Sequence, residues 1–330
     1  MRQIKKVHGE KVPYWVGDGF YVKTLINHLD DNPDFNYQHT DPFLLFDYGV
    51  PTVFEPNPDY KSQPHGIGKH PHRGFDIVTI AYSGELSHAD STGGCSDILA
   101  GDVQWMTAGR GIMHEEFHSE SFGQHGGVFS MVQMWVNLPS KDKLTQPKYQ
   151  SIKRADIPIV DLIDNSASQT LNNNEEQTVI GTAAIITGEW QGVTGAASTF
   201  TPVNVWNIEL HTAGSTKLQV PNTHNTLLLV QEGKLLVNDT TVSAGHLIQF
   251  EPPTQHRTDI QDGQAPDTDT IELHCPTTET DGQTSMPIKL LLFSGEPIGE
   301  PVAGYGPFVM NTQEELRQTF RDYQTGNFIK

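Results

Sequence analysis

Short strand-like runs, each closed by Gly, Asp or Pro, fill the first half of the sequence: GFYVKTLI (19–26), FLLFDYG (43–49), FDIVTIAYSG (75–84), GDVQWM (101–106) and GVFSMVQMWVNLP (127–139). Runs this short, rich in β-branched and aromatic residues and regularly interrupted by turn formers, belong to sandwiches and barrels. The layout returns in residues 223–260, where a hydrophobic run, the Glu232-Gly233 turn, a second run, a turn at Gly245, a third run and Pro252-Pro253 follow in order, as an internal duplication would read. A chain of 330 residues has room for about two domains, each with its own core. The apolar pattern fades over residues 139–156, PSKDKLTQPKYQSIKRAD, which predicts a linker and two halves, 1–145 and 146–330. In the second half, Gln169–Gln177 reads as a polar surface turn, with strands resuming at Thr178. Near the end, Thr312-x-x-Glu315 is a capping box, and Leu316, Phe320 and Tyr323 follow at helical spacing, so one short helix is expected to close the chain and pack on a barrel.

The chemistry concentrates at two places. In KHPHRGF (69–75), His70 and His72 stand two apart, and in a strand such residues project from one face about 6–7 Å apart. Pro71 has no N–H to give to a ladder, which places the pair at a strand start, an edge or a bulge; we read it as the head of the strand over 75–82. In GIMHEEFHS (111–119), an extended chain puts His114, Glu116 and His118 on one face and Glu115 on the other. An antiparallel barrel that turned both sets inward would bring together three imidazoles and a carboxylate, with His118 as an alternative to Glu116. Nitrogen and oxygen donors of that kind suit Fe(II), Mn, Ni, Cu(II) or Zn better than thiolate-seeking metals. His65, His88 and His125 lie in glycine- or serine-rich stretches and read as surface residues. In the second half, His224 and His256 have no partner two residues on and read as surface or hydrogen-bonded histidines, so that half is expected to be structural.

Charge and composition exclude other classes. Forty Asp and Glu against 21 Lys and Arg leave a net charge of −19, and no basic run interrupts it, which argues against direct nucleic-acid or anionic-membrane binding. Cys95 and Cys275 sit in different halves without a CxxC, so neither a disulfide framework nor a zinc knuckle is indicated. The N-terminal stretch is basic but has no apolar h-region, and no run of about 18 apolar residues occurs, so a cytoplasmic protein is expected. The chain has no GxSxG, P-loop or dinucleotide fingerprint.

Four stretches together, DPFLLFDYG (41–49), HPHRGF (70–75), GDVQWMTAGRGIMHEE (101–116) and GPFVMNTQEE (306–315), resemble the pirin family of the cupin superfamily nearly end to end. The resemblance implies an all-β bicupin: two antiparallel β-barrels of the double-stranded β-helix type, with metal in the N-terminal one and a degenerate C-terminal one. Carried over residue by residue, the metal ligands fall on His70, His72, His114 and Glu116. The implied cofactor is one divalent ion per chain, Fe(II) first, with Mn, Ni, Cu, Co or Zn as alternatives. Some pirins cleave the flavonol quercetin across its 2,3 bond with O₂, releasing carbon monoxide; in that scheme Glu116 is also the catalytic base. Other members act as metal- or redox-sensing regulators that bind a transcription factor or metabolic enzyme, so the resemblance implies either a flavonol-like substrate with O₂ or a protein partner. Three departures stand out. Asp76 replaces the usual glutamate, Glu115 a usual small residue, and residues 55–69 form a longer loop that is either a lid or a tolerated insertion.

Overall fold

The computed structural model describes residues 1–9, 11–165, 178–252, 268–276 and 287–329; the expected turn at Gln169–Gln177 and His256 lie outside these. As expected, the chain is mostly β with a short C-terminal helix. Its first strands are β1 (Ile4–His8), β2 (Tyr14–Val16), β3 (Phe20–Asn27), β4 (Phe43–Phe54), β5 (Gly66–His72), β6 (Phe75–Ser83), β7 (Leu86–Asp90), β8 (Cys95–Ile98), β9 (Val103–Thr107), β10 (Ile112–His118), β11 (Gly127–Asn137) and β12 (Lys148–Ile152). Helices α1 (Tyr37–Thr40) and α2 (Glu120–His125) interrupt them.

The chain forms two compact units, and neither is contiguous: residues 1–10 group with 157–297, and 11–156 with 298–330. The expected halves, 1–145 and 146–330, miss these exchanged ends. In the unit of residues 11–156 and 298–330, strands β12-β9-β6-β11-β4-β3-β2 make a seven-stranded sheet, and β5-β10-β7-β8 a four-stranded one. Apolar side chains from both sheets fill its interior, among them Leu44, Phe75, Ile77, Met106 and Ile112 in one cluster and Phe20, Ala81, Leu86, Ile98 and Phe129 in another. Each of the larger side chains, Leu, Ile, Phe or Met, stabilises the fold by about 1.5–3 kcal/mol on burial. The alternation expected of residues 112–118 is realised in β10, where Ile112, His114, Glu116 and His118 are buried and the residues between them half-exposed.

Two local expectations are corrected. His70 and His72 do not open the strand over 75–82; they end β5, in the other sheet. The corner after them is Arg73-Gly74, where glycine fits on two counts: φ is +94°, and a Cβ would meet the Val309 carbonyl oxygen at 1.9 Å. The stretch expected to be a linker contains β12, which pairs antiparallel with β9 from Lys148↔Thr107 to Ile152↔Val103. Its sequence is polar because it is an edge strand whose outer face meets water, so the backbone ladder, not side-chain hydrophobicity, secures it.

The C-terminal helix α3 (Gln313–Gln324) carries the expected capping box: Thr312 accepts from the Glu315 N–H, and the Glu315 carboxylate accepts from the Thr312 N–H. Leu316 packs with Phe308 and Phe328 in this same unit. Arg73 reaches the helix, donating to Asp322 at 2.8 Å. The loop before β5 is fastened to α2: the Asn57 N–H donates to the Gly123 carbonyl at 2.8 Å, and the Tyr60 hydroxyl donates to Glu120 at 3.3 Å.

The unit of residues 1–10 and 157–297 repeats the plan, with a seven-stranded sheet that contains β1 and a four-stranded one. There β1 pairs antiparallel with Leu247–Phe250, and Arg2 donates to Asp269 at 2.9 Å. Its apolar interior includes Trp206, Leu228, Ile248, Leu273 and Leu292.

Candidate metal centre

Three neighbouring strands of the four-stranded sheet assemble the site. Along the β5–β10 ladder His70 lies opposite His114 and His72 opposite Ile112, and a register shift between His114 and Glu116 bends the pairing where a second donor set begins. The two sequence motifs thus meet across one antiparallel ladder. Ring centroids are 4.2 Å apart for His70 and His114 and 4.9 Å for both His70–His72 and His72–His114. Ligand atoms of these three residues lie within 4.8 Å of one another, and so do those of His88, His114 and Glu116. His114 belongs to both groups and joins them.

The donors are in the state a cation needs. Burial pushes His72 down to about 3, helped by His70 and opposed by the Pro307 carbonyl, and burial with the neighbouring imidazoles takes His114 well below the usual histidine range. Both rings are therefore neutral near pH 7, with lone pairs available. Nδ1 of His72 and both nitrogens of His114 are buried without a hydrogen-bond partner. Orphaned nitrogens cost free energy unless something fills the space between them, and a cation held at about 2.0–2.2 Å by such donors does so. His70 Nδ1 is held by the Gly68 carbonyl at 2.9 Å, which leaves Nε2 free, and Gln133 Nε2 donates to Glu116 Oε2 at 3.0 Å. Backing of ligands by such outer hydrogen bonds is usual in metal sites. The residues present therefore fit a divalent metal ion.

Not every expectation survives. His118 faces inward with His114 and Glu116 but stands apart from them: its Nε2 bonds to the Gly19 carbonyl at 2.9 Å and its ring packs edge-on to Phe54 and Phe122. Burial lowers it to about 4, so it is a neutral core histidine and no substitute for Glu116. His88, read as a surface residue, is 1% exposed and lies opposite Glu116 in the β10–β7 ladder. The sequence signal for it was present: His88 and Asp90 stand two apart, the spacing of the other two motifs. His65 and His125 remain at or near the surface, bonded to Asp18 and to the Ser121 carbonyl. Asp76 accepts from the Trp105 indole N–H at 2.8 Å, and burial raises it to about 6. In the other unit His224 is buried and bonded to the Ser294 hydroxyl at 3.1 Å. Among the described residues, both donor groups lie in the unit of residues 11–156 and 298–330.

Comparison with known proteins identifies the family. A family model described as Pirin matches residues 26–136, and one described as Pirin C-terminal cupin domain matches residues 205–329. A Pseudomonas aeruginosa protein provisionally named quercetin 2,3-dioxygenase is 38% identical over 330 residues, 100% of this chain and 99% of its own. Pirin-1 of Arabidopsis thaliana is 33% identical over 312 residues, 93% of this chain and 88% of its own. A crystal structure described as quercetin 2,3-dioxygenase from Acinetobacter baumannii superposes with a TM-score of 0.81 at 38% identity, covering 100% of both chains. With both halves of the family pattern matched and the likeness running the full length of the chain, this protein is a member of the pirin family.

Proposed function

We propose that this protein is a metal-dependent dioxygenase that opens flavonols across the 2,3 bond with O₂ and releases carbon monoxide, its ion held by His70, His72, His114 and Glu116. The observation that carries the reading is the pair of donor groups joined at His114, with His70 and His72 on one side and His88 and the Glu116 carboxylate on the other. The relatives named for quercetin cleavage, 38% identical over the whole chain, supply the substrate class. Iron is the preferred ion, because the donor set suits Fe(II) and the reaction consumes O₂.

A divalent ion here supplies Lewis-acid polarisation of a flavonol hydroxyl and, if iron, one-electron chemistry with oxygen. The chain's own residues do the rest. Burial keeps His72 and His114 neutral, so no proton must leave them before they bind. Gln133 fixes one oxygen of Glu116, while the other, Oε1, has among the described residues only a long 3.5 Å contact from Thr79. Oε1 is therefore the freer oxygen and receives the hydroxyl proton of the substrate.

The test is anaerobic Fe(II) loading followed by oxygen uptake and carbon monoxide detection on adding quercetin, with His72→Ala as the control. Uptake that needs both iron and His72 is the expected result. Stoichiometric iron without uptake would overturn the assignment.

A further inference from the structure

A polar row crosses the seven-stranded sheet in register: Thr24 lies opposite Asp47, Asp47 opposite Gln133, Gln133 opposite Thr79, and Thr79 opposite Gln104. Directly opposed residues share a face, so all five stand on one side of the sheet. That side is the inner one, because Gln133 donates to Glu116 at 3.0 Å and the Thr79 hydroxyl lies 3.5 Å from the same carboxylate. We infer that Asp47 is a specificity-determining residue that accepts a hydrogen bond from a hydroxyl on an outer ring of the flavonol; this rests on the function proposed above.

The wall that carries Asp47 borders open space beside the donor groups. On β11, Val132, Met134 and Val136 are buried, whereas Gln133 and Trp135, which alternate with them on the inner face, are half-buried. Leu45 on β4, opposite Trp135, is half-buried as well. Gln133 touches Glu116, and the Trp135 ring stands edge-on to His72 with centroids 5.2 Å apart, so β11 runs directly along the site. Leu45 and Asp47 continue the same wall one strand further out, about 4.7–4.9 Å away.

Asp47 has an oxygen to spare. Its Oδ1 accepts from the Thr24 hydroxyl, which bonds in turn to the Tyr14 hydroxyl at 2.7 Å. Thr24 lies on β3, so Oδ2 is turned away from that strand; it has no partner among the described residues and is not sealed from solvent. Burial pushes the carboxyl up to about 6 against the lowering effect of Thr24, the behaviour of an acid short of donors. Leu45 and Trp135 thus offer apolar surface to a ring, and Asp47 beside them offers an acceptor. A flavonol whose 3-hydroxyl is its only one serves Glu116 and leaves Asp47 bare. One with hydroxyls on its outer rings serves both. Rejection of an analogue that lacks a hydrogen-bonding group is how a site with buried polar atoms discriminates.

The experiment uses zinc-loaded protein, which binds without turning over, and follows flavonol binding by fluorescence. The probes are 3-hydroxyflavone and 3,4′,5,7-tetrahydroxyflavone, which has hydroxyls on both outer rings. Wild type is expected to bind the tetrahydroxyflavone at least about tenfold more tightly, the equivalent of about 1.4 kcal/mol. Asp47→Asn keeps an oxygen for Thr24 and puts an amide N–H in place of the open acceptor; Asp47→Ala removes both oxygens. Each variant should lose that tenfold preference, with zinc affinity and 3-hydroxyflavone binding unchanged. Equal affinity of wild type for the two flavonols would overturn the assignment of Asp47 whether or not the variants fold. So would a preference retained in either variant, equal loss of both flavonols, or loss of zinc, and each of these leaves the proposed function standing. Zinc-loaded wild type that binds neither flavonol would overturn the proposed function, and the role of Asp47 with it.

Discussion

Gly74→Ala tests the corner that delivers the two histidines of β5 to the site. The residue has φ +94°, where an L side chain is strained by about 1–3 kcal/mol. An added Cβ would stand 1.9 Å from the Val309 carbonyl oxygen, so Val309 must also move. Its N–H donates to the Arg73 carbonyl at 3.1 Å, and its carbonyl accepts from the fully buried Lys143 ammonium at 3.0 Å. Lys143 spans this junction, because it also donates to the Gly74 carbonyl at 2.8 Å and to Asn137 Oδ1 at 2.7 Å. Loss of two of these bonds costs about 1–1.5 kcal/mol each, so the total is about 3–6 kcal/mol. For a unit of this size that is roughly 6–24 °C in Tm. The assay is a far-UV circular dichroism melt of metal-free protein, with Gly68→Ala, whose Cβ meets nothing within 4 Å, as the control. A fall of less than about 6 °C in Gly74→Ala would refute the reasoning, because it lies below the smallest sum of strain and lost hydrogen bonds.

Three further predictions follow from the site and its surroundings. His114→Ala, which removes the residue shared by both donor groups, should lower zinc affinity at least about a hundredfold in a chelator competition, whereas His118→Ala should leave it unchanged and cost only stability. Asp76 has a folded pKa raised to about 6 from 3.8, so the folded state keeps its proton where the unfolded state has lost it, and stability falls as pH rises from about 4 to 6. Asp76→Asn, which keeps an acceptor for Trp105, should therefore gain on wild type between pH 4 and 7, by up to about 3 kcal/mol in urea titrations. Thr312→Ala removes the cap of α3 and should cost about 0.5–2 kcal/mol in the same titrations, with no change in zinc binding.

The legible parts of the sequence were those whose signal is local. Alternation alone put His114 and Glu116 inward on one strand, and the Thr312 and Glu315 cap appeared where the spacing said. The corner at Arg73-Gly74 was missed because HPHRGFDIV reads as one extended run; what divides it is the approach of Val309, more than 200 residues away. Strand β12 was missed because an edge strand needs little hydrophobicity, and Tyr149, which backs His88, was lost with it. His88 itself was assigned to the surface from its Ser and Gly neighbours, although its spacing to Asp90 matched the two motifs that were trusted. No local pattern announces that β1 pairs with Leu247–Phe250, since both partners are ordinary strands and only the completed sheet selects them.

The exchange of chain ends has a consequence for how the protein is made. As the polypeptide leaves the ribosome, β1 emerges some 240 residues before its partner strand, so its hydrogen-bonding edge must wait while those residues are made. The unit that carries the donor groups waits as well, because Arg73 and Lys143 take partners from residues 308–328, more than 160 residues further on. No single cut in the gene yields either unit whole. A fragment ending at 156 would carry every proposed ligand and lack the segment that holds their corner closed, so nascent chains should acquire metal tightly only once residues 298–330 have joined them.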